Sequence, residues 1–247
     1  MRKGNLPVTR PQAGSVRAEE IARFDALAEN WWDPDGPMRP LHRMNPARIA
    51  WILSHIRRHF PKPEGLRLLD VGCGAGLAAE ALAQAGLDVL GVDAAPAAIA
   101  AATAHAAGAG LSLAYQETTV EALAARGEEY PVITALEVIE HVTDPAAFVA
   151  VLAQLLAPGG MLFLSTLNRT ARSFLTAKIG AEFLLQWLPV GTHDWRRFLT
   201  PAEIGAQLRA AGLPVTDITG LTPDLARGGW KTGKDLSVNY ILAATAS

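Results

Sequence analysis

The chain has 247 residues, with 22 Lys and Arg against 24 Asp and Glu and a formal net charge of −2. There is no basic excess to bind nucleic acid, and no apolar run reaches the ~18 residues needed to cross a bilayer. The single cysteine, Cys73, excludes an intrachain disulfide framework and suits a reducing compartment.

The opening MRKGNLPVTRPQAGSV carries charges and prolines but no apolar core, so residues 1–17 read as a disordered start and not as a signal peptide. Ile21, Phe24, Leu27 and Ala28 recur at helical spacing and predict an amphipathic helix over 18–29. Residues 31–36 break it. Pro37, Pro40 and Pro46 predict an irregular stretch, then a second helix over 46–59 with proline in its first turn. Residues 18–64 thus form a helical cap ahead of the first strand, an appendage able to cover a ligand mouth. From Leu66 the pattern alternates strand and helix, as in a parallel sheet with crossover helices. Strands are predicted over 66–71, 87–92, 111–116, 130–136 and 161–167. Helices are predicted over 77–85, 96–107, 119–125 and 145–156, the last ended by Pro158-Gly159-Gly160. Helices over 172–188 and 201–211 and strands over 213–221 and 238–244 complete a sheet domain spanning 65–247.

The first strand runs into a glycine turn, LRLLDVGCGAG, in which Gly72, Gly74 and Gly76 precede an alanine-rich helix. Without Cβ atoms the backbone can approach a ligand closely, and the helix N-terminus aims free N–H groups at it. A dinucleotide fingerprint would need its third glycine where Leu77 stands. The G-x-G-x-G form after Asp-Val instead resembles motif I of the S-adenosylmethionine-dependent methyltransferases. Asp93 closes the second strand about twenty residues on, where a carboxylate can accept hydrogen bonds from both ribose hydroxyls. Gln116 and Glu117 follow the third strand, where related methyltransferases approach the adenine. Cys73, inside the turn, reads as a small packing residue.

The segment Leu136-Glu137-Val138-Ile139-Glu140-His141 follows the fourth strand, and ligands gather at such carboxyl ends. If it turns helically, Glu137, Glu140 and His141 share one face and suit a divalent metal, magnesium favoured by the oxygens and zinc by the imidazole. The alternative leaves the carboxylates solvated and packs His141 under a loop; for catalysis without a metal, His141 is the best candidate general base. His193, beside Asp194 in GTHDW, is a second candidate base or a histidine that shapes a loop.

FDALAENWWDPDGPMRPLHRMNPARI, DVGCGAG, LEVIEHV, STLNRT and GTHDW together resemble the ubiquinone-biosynthesis O-methyltransferase family. The likeness runs from about residue 20 to the C-terminus, and the WWDP…PLHRMNP block is its specific part. It implies a class I methyltransferase fold, Rossmann-like α/β, with a seven-stranded, mostly parallel sheet whose last strand is antiparallel, and helices on both faces. It implies methylation of catechol-type hydroxyls on polyprenylated intermediates at two steps of ubiquinone assembly, with S-adenosyl-L-methionine as donor. The family's cofactor contacts fall on Arg48, Gly72, Asp93 and Leu136, with Gly74 and Gly76 completing the turn. Arg48 has its own rationale, since an arginine fork matches the carboxylate of the methionine moiety. In the eukaryotic members the positions of Glu137, Glu140 and His141 are assigned to magnesium. Methyltransferases of other specificity, nicotinamide oxidoreductases and a non-catalytic scaffold of the quinone pathway are the competing readings.

The stretch 172–188, RSFLTAKIGAEFLLQWL, has an apolar face of Phe174, Leu175, Ile179, Phe183, Leu184, Trp187 and Leu188. It carries three charges, Arg172, Lys178 and Glu182, so it would lie on a membrane rather than cross it. With a lipid-tailed substrate, it reads as a lid-like insertion near 170–200, alternatively as an ordinary core helix. The lid reading makes the protein a cytoplasmic one, peripheral on the inner face of the membrane, with other quinone-pathway enzymes as candidate partners.

Overall fold

Strand β1 (Arg67–Val71) lies at the middle of one twisted sheet, with Leu68 and Leu69 fully buried on opposite faces. The computed structural model describes residues 15–174, 195–224, 226 and 228–246. Among these, β1 is followed by β2 (Asp88–Asp93), β3 (Ala114–Glu117), β4 (Tyr130–Leu136), β5 (Leu156–Leu167), β6 (Val215–Asp224), β7 (Gly229–Gly233) and β8 (Asn239–Thr245). Their spatial order is β3-β2-β1-β4-β5-β8-β6-β7. The pairings β3-β2-β1-β4-β5 are parallel, and β8 runs antiparallel between β5 and β6. The order reverses between β1 and β4, which opens a crevice at the carboxyl ends of these strands, where open α/β sheets bind ligands.

The sheet has eight strands instead of the expected seven, because the short β7 pairs antiparallel with β6 at the edge. Its sequence, GWKTG, sets the strand formers Trp230 and Thr232 between two glycines and a lysine, a signal too short to read as a strand. Tertiary contact supplies what propensity lacks: Trp230 packs against the cluster that includes Ile52 and Ile56.

Helix α1 (Ala18–Leu27) ends in a 3₁₀ turn over Ala28–Asn30. Helix α2 spans Arg39–His59, seven residues earlier than proline placement predicts, so Pro46 sits inside it. A proline there removes one backbone hydrogen bond. The helix is held from outside, with Met44, Asn45, Arg48, Ile49, Ile52, His55 and Ile56 all buried along one face. Ile52 and Ile56 are fully buried in one cluster with Leu68, Val132, Phe163 and Ile241. Thus α2 is a layer on one face of the sheet, more than an appendage, shared with α3 (Leu77–Gln84).

Helices α4 (Pro96–Gly108), α5 (Val120–Ala124), α6 (Pro145–Leu155) and α7 (Pro201–Ala210) follow the predicted positions closely. On the other face α6 and α7 bury Phe148, Leu152, Ile204 and Leu208 against Leu69, Ile133 and Leu164. Short polar caps stop and start these helices: Asp144 accepts from Ala146 and Ala147 N–H, and Thr200 and Glu203 form a capping box. The lid reading of 172–188 lies almost wholly outside the described residues, as do His193, Asp194 and residues 1–14.

Candidate active site

The glycine turn is tied to the end of β2. Gly72 and Cys73 N–H both donate to the Val92 carbonyl, at 2.8 and 3.1 Å. Asp93 Oδ2 accepts from Gly74 N–H and Oδ1 from Ala95 N–H, each at 2.9 Å. The acid that the sequence assigns to a ribose therefore also builds the turn, and each oxygen keeps a further lone pair for a ligand. Burial pushes the Asp93 carboxyl up, opposed by the backbone N–H groups of Ala95, Gly74 and Ala94.

All three glycines adopt left-handed backbone, with φ of 65°, 53° and 91° at Gly72, Gly74 and Gly76. They do not face open space. A Cβ at Gly72 would lie 2.5 Å from Val138, at Gly74 2.3 Å from Trp31 Cζ2, and at Gly76 2.1 Å from the Tyr115 hydroxyl. The turn is thus clasped by side chains from β3, from the loop after β4 and from the WWDP segment. Neighbouring Trp32 donates from Nε1 to the Ala75 carbonyl at 2.9 Å and stacks on His105 at 3.4 Å. Here the tryptophans of the WWDP segment have a physical role: they cover the glycine turn. Cys73 is buried, and burial, then Asp70 and Asp93, push its thiol pKa up, so it is a packing residue of low reactivity.

On the α2 face of the sheet, polar side chains converge at the carboxyl ends. Arg48 is 3% exposed. Its Nη2 donates to Asn45 Oδ1 at 3.1 Å, and Nη1 stands 3.8 Å from Glu137 Oε1. Nε and Nη1 have no hydrogen-bond partner among the described residues. Asp70, 2% exposed, accepts from Thr134 Oγ1 at 2.7 Å through Oδ1, while its Oδ2 is also without a partner. Burial pushes the Asp70 carboxyl up to about 6, against the pull of Thr134 and Arg48. A buried cation and a buried anion, each with unused hydrogen-bonding capacity, match the carboxylate and ammonium of an amino acid. The sequence reading singled out Arg48 but gave Asp70 no role. Its only signal was an acid on a buried strand, two positions before the first glycine.

Leu136 ends β4 and is buried in the cluster of α2. The segment after it does not turn helically. Glu137 has φ of 59°, a left-handed conformation costly for a side-chain residue, and directs its carboxylate toward α2 and β8. Oε1 accepts from Ser165 Oγ at 2.7 Å, and both oxygens accept from Asn239 Nδ2 at 3.2 and 3.1 Å. These bonds offset the local strain. His141 turns elsewhere, with Nδ1 3.0 Å from Glu20 Oε2 of α1 and its ring edge-on to Phe24. Glu140 is 5% exposed, and burial, then the Glu137 charge, push its carboxyl up to about 7. The expected one-face metal triad is not formed: the left-handed Glu137 breaks the helical phasing, and the described residues hold no cluster of three acidic, histidine or cysteine side chains suited to a metal. These residues do not fit a shared ion in this arrangement. Gln116 and Glu117 end β3 beside Asp93, with Glu117 its register partner.

A switch-point crevice, a methyltransferase-type glycine turn and an acid closing β2 define a class I S-adenosylmethionine-dependent methyltransferase. Residues 41–218 match the family model described as a methyltransferase domain. The chain is 46% identical over 250 aligned positions to the ubiquinone biosynthesis O-methyltransferase of Methylocella silvestris, covering 96% of this chain and 98% of that one. It is 48% identical to that of Methylobacterium nodulans, with 93% and 95% covered. Its fold resembles magnesium protoporphyrin IX methyltransferase from Synechocystis PCC 6803 with bound SAH, at TM-score 0.68 and 22% identity over 93% of this chain and all of that one. It also resembles an S-adenosylmethionine-dependent methyltransferase from Thermotoga maritima, at TM-score 0.64 and 17% identity over 92% and 99% of the two chains. The chain belongs to the ubiquinone biosynthesis O-methyltransferase family.

Two expected outcomes arise at this site. Asp93→Ala removes the acceptor of two backbone N–H groups as well as a ligand contact, so S-adenosylmethionine affinity should fall by ~10–100-fold in calorimetry, on the ~1.5–3 kcal/mol scale of charged hydrogen bonds. Asp70→Asn should separate stability from binding. The folded carboxyl titrates near 6, above the ~3.9 of an unfolded Asp, so the folded state binds the extra proton between these values. The ligand-free protein therefore loses stability as pH rises through that window. Above it, Asp70→Asn should raise the melting temperature, a gain that shrinks toward pH ~4, while weakening cofactor binding.

Proposed function

We propose that this protein transfers the methyl group of S-adenosylmethionine to a catechol-type hydroxyl of a polyprenylated ring in ubiquinone biosynthesis. The observation that carries the cofactor half is the buried Arg48–Asp70 pair with its free donors and acceptor beside the glycine turn. Family membership carries the substrate half. Arg48 receives the methionine carboxylate and Asp70 its ammonium, while Asp93 holds the ribose. The glycine turn holds the sulfonium in place. The acceptor hydroxyl needs activation, because a phenol near pKa ~10 is protonated at neutral pH. His141 supplies it as general base, accepting the phenolic proton while the oxygen attacks the methyl carbon in line and S-adenosylhomocysteine leaves. Positioning provides much of the remaining rate.

The polyprenyl tail calls for contact with a membrane surface. Among the described residues no helix is long and apolar enough to cross a bilayer. Phe174, 40% exposed, is the first apolar residue of the stretch read as a lid. Incubation of pure protein with S-adenosylmethionine and a catechol quinol analogue should yield the methyl ether by mass spectrometry. Methylation of unrelated small catechols at equal or better kcat/KM, with none of the quinol analogue, would favour the broader small-molecule reading.

A further inference from the structure

The methyl-donor site is shut. Arg48 Nε and Nη1 and Asp70 Oδ2, the unused groups of the site, are closed off from solvent, and so is the indole N–H of Trp31. A ligand that binds there must first move something aside. The segment over residues 28–38, between α1 and α2, is built to move. Its buried residues Trp31 and Met38 join Ala75 in a small cluster, apart from the two that flank the sheet. It also folds on itself: Gly36 N–H donates to the Asp33 carbonyl at 3.0 Å and Asp35 N–H to Asp33 Oδ1 at 2.9 Å. The chain on either side is anchored. Asp25 Oδ1 accepts from Ala97 N–H of α4 at 2.9 Å, and His42 Nε2 meets the Trp31 carbonyl at 2.8 Å.

Trp32 fastens this segment to the sheet domain. Its Nε1 donates to the Ala75 carbonyl inside the glycine turn at 2.9 Å, and its ring lies flat on His105 of α4, with 3.4 Å between centroids and 2° between planes. His105 is itself pinned, because both carboxylate oxygens of Glu80 accept from its Nδ1, at 2.9 and 3.0 Å. Glu80 belongs to α3, the helix that starts at the glycine turn, and is 2% exposed. A buried carboxylate holds such a partner firmly, since losing it would leave an uncompensated charge. The seat for Trp32 is therefore rigid.

We propose that residues 28–38 are a gate over the methyl-donor site and that Trp32, seated on the His105–Glu80 pair, is its latch. With the latch seated, Trp31 covers Gly74 and the site is closed. With the latch released, the Trp31 indole swings off, S-adenosylmethionine enters and S-adenosylhomocysteine leaves. The inference rests on Arg48, Asp70 and the glycine turn being the donor site. Trp32 spends its N–H on Ala75 and a ring face on His105, so it holds the closed form whether or not the donor is present. An interaction common to the free and bound states sets the rates of entry and exit and leaves the affinity nearly unchanged.

The test measures the dissociation rate of labelled S-adenosylhomocysteine, chased with excess unlabelled ligand, and its Kd by calorimetry; their quotient gives the association rate. The variants are Trp32→Ala, Trp32→Phe, which keeps a ring but no N–H, and His105→Gln, which keeps a donor for Glu80 but no stacking ring. In Trp32→Ala both rates should rise ~10-fold, the scale of one aromatic stack and one hydrogen bond, with Kd within about threefold of wild type. Trp32→Phe and His105→Gln should fall between, and Trp32→Ala/His105→Gln should be no faster than Trp32→Ala. Amide exchange over residues 28–38 should quicken in the ligand-free variants, and ligand should slow it in the wild type. Wild-type rates and exchange in Trp32→Phe and His105→Gln would overturn the latch, even if Trp32→Ala failed to fold. A faster exit with unchanged entry, so that Kd weakens in proportion, would show a ligand contact and no gate. Undiminished S-adenosylhomocysteine affinity in Arg48→Met would remove the donor-site reading, and the gate with it.

Discussion

Arg48→Met is expected to abolish productive cofactor binding, lowering affinity for S-adenosylhomocysteine by ~100-fold or more. The guanidinium is buried, and burial lowers its pKa against the raising effect of Glu137 and Asp70, so the fold maintains a cation where solvation alone would not. A charge kept desolvated, with Nε and Nη1 unused, has most to gain from an incoming carboxylate. Truncating one partner of such a pair costs on the order of 2–5 kcal/mol, and ~1.4 kcal/mol is tenfold in affinity. Arg48→Lys keeps the charge but not the fork, and should recover only part of the loss. The Met variant should keep its fold, because Glu137 retains Ser165 and Asn239. Calorimetry and thermal unfolding on both variants check this.

Gly74→Ala should cost more in structure. Its φ of 53° is a conformation in which a side chain costs about 1–2 kcal/mol. The added Cβ would lie 2.3 Å from Trp31 Cζ2 and 2.6 Å from Cη2, inside contact distance of a ring that is itself 5% exposed. The indole must leave, uncovering Phe24 and Leu27, which pack in the same small cluster. The expected result is a protein melting several degrees lower, with faster proteolysis before residue 39 and cofactor affinity reduced at least tenfold. Gly65→Ala, where a Cβ would meet nothing within 4 Å, is the matched control for left-handed strain alone.

The sheet was legible because its strands are short apolar runs punctuated by glycine and proline. Tyr130–Leu136 was bounded to the residue, and Pro145 and Pro201 marked their helix starts. Local reading failed where tertiary contact decides. Pro46 looked like a helix start but lies in the second turn of α2, since the buried face from Met44 to Ile56 outweighs one lost hydrogen bond. β7 has only Trp230 and Thr232 as strand formers between glycines, and pairing with β6 makes it a strand. At the candidate site, spacing pointed to Gly72, Gly74, Gly76 and Asp93 and the family likeness to Arg48, and the fold places Asp93 against the glycine turn and Arg48 beside Glu137. The helical phasing assumed for Glu137, Glu140 and His141 could not survive a left-handed Glu137, a backbone property that no periodicity announces. Asp70 was missed for a related reason: it is an acid within an apolar strand, and only folding shows that one of its oxygens lacks a hydrogen-bond partner among the described residues.

The central claim is that Arg48 and Asp70 receive the amino-acid end of the methyl donor. Calorimetry of two ligands on two proteins tests it most directly: S-adenosylhomocysteine and 5′-methylthioadenosine, which lacks that end, on wild type and Arg48→Met. Wild type should prefer S-adenosylhomocysteine by ~100-fold, and in Arg48→Met the preference should collapse to a few-fold with methylthioadenosine affinity unchanged. An undiminished preference in the variant, or equal binding of the two ligands by wild type, would contradict the account.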